Sequence, residues 1–156
     1  MEMQMPRPGP EHEVLKRFTG DWTGEETMFP APWHPEQRTT RGRTVCKMLD
    51  GFFAVSDYVQ HSGKEVSFQG HGVYSWDPAA REYVMYWFDS MGGAGGVARG
   101  TLDGDVLTFE TTSPMGRHRY RYTLGAEEMV FEMAIRPEGA DWHEMMRVVY
   151  RPTQGR

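Results

Sequence analysis

A disulfide framework is the first thing this sequence excludes. Its 156 residues hold one cysteine, Cys46, so no intrachain bridge can form, and a reducing, cytoplasmic setting is expected over a secreted one. Long apolar runs are missing too. No stretch approaches the roughly 20 residues of a helical membrane span, and Met1-Glu2-Met3-Gln4-Met5-Pro6 lacks the charged and apolar regions of a signal peptide. Positive charge is scarce: the formal net charge is -5, which leaves no generic basic footprint for nucleic acid or an anionic membrane. The densest basic clusters, Arg41 with Arg43 and Arg117 with Arg119 and Arg121, have period two, the signature of a solvated strand face. The six histidines form no short pair such as His-x-His or His-x-x-x-His, so no metal site is expected. A Gly-x-Ser-x-Gly elbow is also absent, and Cys46, between Val45 and Lys47, reads as a buried inert thiol. With no polar linker between two cores, one domain spanning 1–156 is the expectation.

What is present points to strands. After an arm over residues 1–9 that carries Pro6, Pro8 and Gly9, the run from Pro10 to Phe18 has acids early, bases late and Val14, Leu15 and Phe18 on one side. That is a short amphipathic helix with its charges suited to the helix dipole. Gly20 is expected to stop it in a left-handed conformation, and Trp22 to drop onto the core as the plug of a barrel end. Strands are then expected at about 21–29, 39–49, 52–61, 66–76, 82–89, 96–102, 106–111, 117–124, 128–135 and 142–150. Short Gly-containing breaks such as Asp50-Gly51, Ser62-Gly63-Lys64 and Asp103-Gly104-Asp105 separate them. The even spacing, with no long connection of the kind a Greek key requires, predicts an all-β fold. It should be a closed antiparallel up-and-down barrel of about ten strands with one N-terminal helix.

Several residues are candidates for a site. His71 stands between Gly70 and Gly72, and glycine inside a strand often marks close approach by another group. It therefore reads either as a pocket-facing ligand donor or acid/base, or as a surface histidine at a bend. The strand from Tyr83 to Phe88 is apolar on both faces, including Tyr86 and Trp87, which calls for cover by the N-terminal arm or by a second copy of the chain in a homodimer. Asp89 ends that strand as the one acid in its aromatic neighbourhood, and is either a turn cap or an acid/base partner of His71. Trp33 and His34 lie on the stiff loop Pro30-Ala31-Pro32-Trp33-His34-Pro35, which could overhang the barrel mouth. Gly92 to Gly96 does not open a helix in the manner of a phosphate loop and reads as a lip at the same mouth.

Taken in order, Thr19-Gly20-Asp21-Trp22-Thr23-Gly24-Glu25, Leu49-Asp50-Gly51-Phe52-Phe53, Gly70-His71-Gly72-Val73 and Trp87-Phe88-Asp89-Ser90-Met91-Gly92 resemble the bacterial family catalogued as domain of unknown function 1579. The resemblance runs from about Pro6 to Arg151 and implies a lipocalin-like, or calycin, barrel without supplying an activity. More distantly, the helix followed by Gly-x-Trp is similar to the opening of the nitrobindins, haem-binding barrels in which a histidine near the chain end ligates iron. That likeness would make His143 the axial ligand. No other cofactor is implied.

The function expected from these residues is binding of a small apolar or aromatic molecule in the lumen, since methionine and aromatic side chains adapt to a guest and barrel mouths are common sites. His71, Tyr86, Trp87, Asp89, His143 and Trp33 are the candidate contacts. The alternatives are a cofactor-independent isomerase, cyclase or hydrolase working through His71 and Asp89, and a nitrobindin-like haem protein.

Overall fold

The computed structural model describes residues 2–154. Helix α1 (Pro10–Leu15) runs into a 3-10 turn over Lys16–Phe18, and ten strands follow. They are β1 (Gly20–Met28), β2 (Arg38–Leu49), β3 (Phe53–Ser62), β4 (Glu65–Asp77), β5 (Glu82–Asp89), β6 (Gly96–Asp103), β7 (Val106–Ser113), β8 (Gly116–Leu124), β9 (Met129–Arg136) and β10 (His143–Pro152). Each pairs antiparallel with its neighbours in the chain, and β1 pairs with β10 to close the barrel. The meander follows from the turns. Asp50 and Gly51 both have positive φ, 51° and 78°, the geometry that lets two residues reverse a twisted hairpin without splaying its strands.

The closing seam is held by side chains as well as by the ladder. Asp21 accepts Arg43 Nε at 2.9 Å and Thr153 Oγ1 at 2.6 Å, so one carboxylate joins β1, β2 and the residue following β10. The Arg43 hydrogen bonds, seconded by Thr153, hold its pKa down to about 2. The arginines of the period-two clusters lie on the exterior, where Arg117 pairs with Glu110 and Arg119 with Glu144.

The helical segment seals one end of the barrel. Leu15, Phe18 and Trp22 are buried there, with Phe18 stacked on Tyr74 at a centroid distance of 4.5 Å. Trp22 donates from Nε1 to the Phe18 carbonyl (3.0 Å), which satisfies the one polar atom of a buried indole. Tyr83, on β5, donates to the Glu11 carbonyl (2.9 Å) and ties the helix to the wall. One detail departs from expectation. The helical segment ends at Phe18 through the Thr19 N–H to Lys16 carbonyl bond, so Gly20 has the positive φ of a glycine position, +140°, but as the first residue of β1 and not as the residue that stops the helix.

The arm does not supply the cover expected for β5. Met1 lies outside the described residues, and Pro8 of the arm lies beside the β2–β3 turn, where a Cβ on Gly51 would meet its Cγ at 2.9 Å. Val84 is buried, but Tyr86 and Phe88, on the same outer face of β5, are 39% and 50% exposed. No helix among the described residues is long and apolar enough to cross a membrane.

Candidate functional site

The barrel encloses a cavity of about 670 Å³. Phe18, Tyr74 and Tyr122 form its floor above the helical plug. Its opposite end opens between Arg38 at the start of β2, Phe68 on β4, Asp89 at the end of β5, the Gly96 end of β6, and the Ser113 and His118 ends of β7 and β8. The lumen face of each strand is set by parity. On β5, Tyr83, Met85 and Trp87 turn inward, while Val84, Tyr86 and Phe88 turn outward. On β8, His118, Tyr120 and Tyr122 face the lumen and leave Arg117, Arg119 and Arg121 outside.

The walls are of two kinds. Along β5, β6, β9 and β10 the deeper lining is mainly apolar, with Met85, Ala98, Met129, Phe131, Met133 and Met146, and the polar atoms on these strands belong to Trp87 and Asp89 near the mouth and to Tyr150 beside β2 and β3. Along β2 and β3 it is Thr44, Ser56, Tyr58 and Gln60, with Thr44 Oγ1 and Ser56 Oγ bonded at 2.6 Å.

Behind the polar wall lies Glu26, which is fully buried. Trp22, Glu26 and Met28 share the inward parity of β1, so the strand that supplies the plug also carries this acid into the wall. Its Oε1 accepts Thr40 Oγ1 at 2.8 Å and Gln60 Nε2 at 3.2 Å. Its Oε2 accepts a short hydrogen bond from the Tyr58 hydroxyl and a longer one, 3.4 Å, from the Tyr150 hydroxyl. Room for the carboxyl comes from Gly42 on β2, where a Cβ would lie 2.4 Å from Oε2. Burial, with the Glu26 charge adding to it, raises the pKa of both Tyr58 and Tyr150, so these phenols keep their hydrogens.

His71 and Asp89 do not form an acid/base pair. His71 lies opposite Phe88 in the β4–β5 register, on the outer face, and its Nδ1 is 2.7 Å from Asp57 Oδ1. Asp89 lies opposite Gly70, on the lumen face, and accepts the Trp87 indole N–H at 2.8 Å and the Met91 amide at 2.9 Å. Adjacent residues on β4 point to opposite faces, so no rotamer joins the two groups. The glycines beside His71 have a different cause. A Cβ at Gly70 would lie 2.2 Å from the Trp87 indole and one at Gly72 3.2 Å, so both make room for that ring.

Of the other candidate contacts, Trp87 and Asp89 line the cavity and Tyr86, Trp33 and His143 do not. Trp33 is 57% exposed on the proline loop. His143 donates from Nε2 to the Pro30 carbonyl (2.7 Å) and so tethers that loop to β10. A nitrogen already committed to a carbonyl, outside the lumen, does not fit an axial haem ligand. The histidine that does line the cavity is His118, whose Nε2 is 2.7 Å from Ser113 Oγ and whose pKa is lowered by burial. Among the described residues, no group of three His, Cys, Asp or Glu side chains could hold a metal ion.

Cys46 also lines the cavity, near its floor, and burial pushes its thiol up to about 12. The thiolate is the reactive form, so at pH 8 a thiol-directed reagent such as a disulfide dye should label the native protein at least about a hundredfold more slowly than the protein in urea. Equal rates would mean that the floor of the lumen is open to solvent and reagent.

The family model described as "Protein of unknown function (DUF1579)" matches residues 7–152. No curated protein matches the chain. Among solved structures it is similar to Rv2717c from M. tuberculosis, with a TM-score of 0.72 at 13% identity, covering 95% of this chain and 100% of that one. It is also similar to the S-type phycobiliprotein lyase CPES from Guillardia theta, with a TM-score of 0.67 at 10% identity over 94% of each chain. A mutant of the fluorescent protein UnaG matches with a TM-score of 0.53 at 11% identity, over 90% of this chain and 99% of that one. At such identities these likenesses establish the shared barrel fold.

Proposed function

The chain belongs to the DUF1579 family, and we propose that it is a binding protein that holds one small apolar or aromatic molecule in the lumen of its barrel. The observation that carries this reading is the cavity itself. A volume of about 670 Å³ lies in the range of small-molecule sites, and aromatic and methionine side chains make up much of its lining, with polar groups along β2 and β3 and around the mouth. Barrels of about eight strands are just wide enough to fill with side chains or to hold one small ligand, and the diameter grows with strand number, so ten strands leave room for a guest. Here Ala98 and the paired small hydroxyls of Thr44 and Ser56 stand where larger residues would close the space.

The guest would stack on Trp87 near the mouth and on Tyr122 and Phe131 deeper in, where the two rings already pack at 4.9 Å. Methionines around it adjust to its outline at little cost. Binding would be dominated by apolar burial, and the polar wall would set its orientation.

The uncharged, environment-sensitive fluorophore phenylnaphthylamine tests this reading. Wild-type protein should take it up with blue-shifted emission. Ala98→Trp, which fills the lumen, should weaken uptake by at least about tenfold, the equivalent of losing one well-buried contact. Tyr86→Ser, on the exterior, should leave it unchanged. Equal uptake by wild type and Ala98→Trp would overturn the reading, and a loss confined to Tyr86→Ser would move the probe to the outer face.

A further inference from the structure

We propose, resting on the lumen-binding reading above, that the guest is an organic cation: an apolar or aromatic body carrying a protonated amine or a comparable positive N–H group. The argument begins with what surrounds Glu26. Among the described residues no basic side chain forms an ion pair with this fully buried acid. Its four partners are neutral donors, two on each oxygen. Four donors directed at two oxygens make this a site built for a carboxylate, and buried carboxylates are ordinarily balanced by an opposite charge, which this network of neutral donors does not supply. The lumen, lined by Tyr58 and Tyr150, lies one phenol away and has room for a counter-charge.

The same four bonds decide what the lumen presents to a guest. Tyr58 and Tyr150 line the cavity, and each commits its hydroxyl hydrogen to Glu26. Gln60 directs its amide hydrogens to Glu26 and to the Tyr58 oxygen, and its own oxygen accepts Ser67 at 3.1 Å. With these hydrogens spent on the acid, what remains at the two phenol oxygens is lone pairs. A phenol donating to a carboxylate is also a stronger acceptor, because hydrogen bonds in a chain polarise one another. This wall therefore suits a guest that brings donors.

Two further features act in the same direction. Asp89 places a second carboxylate at the mouth, half-buried beside Trp87. The aromatic faces of Tyr58, Trp87 and Tyr122 attract a cation through the ring quadrupole, most strongly where water is excluded. Against these stands Arg38, exposed at the rim, where solvent and salt screen it. His118 is held towards its neutral form by burial and adds little positive charge.

A matched series sharing one ring system tests the proposal on the purified full chain at pH 7: naphthylmethylammonium, methylnaphthalene and naphthylacetate, titrated by calorimetry and by tryptophan fluorescence. The cation should bind about tenfold or more tightly than the neutral compound, as a charge-assisted hydrogen bond implies, and the anion most weakly. Glu26→Gln should bring the cation to within about threefold of the neutral compound. Should that variant fail to fold, Asp89→Asn, at the half-exposed mouth, should still reduce the preference of a folded protein, and the wild-type ranking decides in either case. Cation and neutral compound bound equally, or the anion bound best, would overturn the cationic guest and leave the lumen reading intact. No binding of any of the three, together with no uptake of phenylnaphthylamine, would remove the lumen reading and this inference with it.

Discussion

Trp22→Ala should lower stability by about 3–5 kcal/mol, the range seen when a buried aromatic is cut back to alanine in a core that cannot collapse around the gap. The indole is only 4% exposed, between the helical segment and the first turn of the barrel wall. Its loss removes apolar contact with a cluster that includes Leu15 and Phe18, and it leaves the Phe18 carbonyl without the indole N–H. The ring also sets how the chain enters β1, since a Cβ on Gly20 would lie 3.1 Å from Nε1. Collapse into the gap is opposed from both sides. The floor residue Tyr74 is held by its hydroxyl contact with Tyr122 (2.9 Å), and the helix by the Tyr83 bond to Glu11. Urea unfolding of wild type and variant measures the difference, and a loss below about 1 kcal/mol would show that the end of the barrel does not depend on this plug.

The plug, the helix and the ten strands were legible in the sequence because they rest on local signals. Glycine-bearing turns recur at even spacing, and the strand limits in the structure match those expected to within a few residues. The site was less legible, because strand parity tells which residues share a face but not which face is the lumen. On β4 the set containing Phe68 and Tyr74 proved to be the inner one, which placed His71 outside. The glycines around His71 did mark close approach, yet the approaching group was Trp87 on the next strand, and only the register could identify it.

Glu26 is hard to read from the sequence for a different reason. Beside Glu25 it reads as one of two surface acids on an amphipathic strand. The signal was nevertheless there: Glu26 lies four residues after Trp22, on the same face, so a buried indole commits this acid to the interior. Gly42 was the companion signal, a glycine inside a strand that leaves space for a carboxyl on its neighbour, and it needed the β1–β2 pairing to be interpreted. The polar wall of the lumen could not be read locally either, since Thr40, Tyr58, Gln60 and Tyr150 come from three strands and only the closed barrel brings them to one carboxyl.

Removing that carboxyl should be as costly as removing the plug. Glu26→Ala is expected to destabilise the protein by about 3–5 kcal/mol, the range for deleting one member of a buried charged network and leaving its partners behind. The donors are the reason. Thr40 is 8% exposed, Tyr58 9% and Tyr150 4%, so water reaches them poorly, and each would keep a polar hydrogen with no acceptor. Replacing the acid with a leucine would fill the space but strand the same donors, so Glu26→Leu should recover little of the loss. Glu26→Gln keeps the shape and one acceptor oxygen, and should cost about 1–3 kcal/mol, because its amide nitrogen then faces donors on one side. Gly42→Ala approaches the network from outside. Its new methyl carbon, 2.4 Å from Oε2, must push the carboxyl away from the Tyr58 and Tyr150 hydroxyls, and it should destabilise in the same direction without removing any polar group. Urea unfolding of the four variants should therefore rank Glu26→Ala and Glu26→Leu together as the least stable, with Glu26→Gln between them and wild type. A Glu26→Leu variant as stable as wild type would mean that the donors find other acceptors, and that the carboxyl is dispensable to the fold.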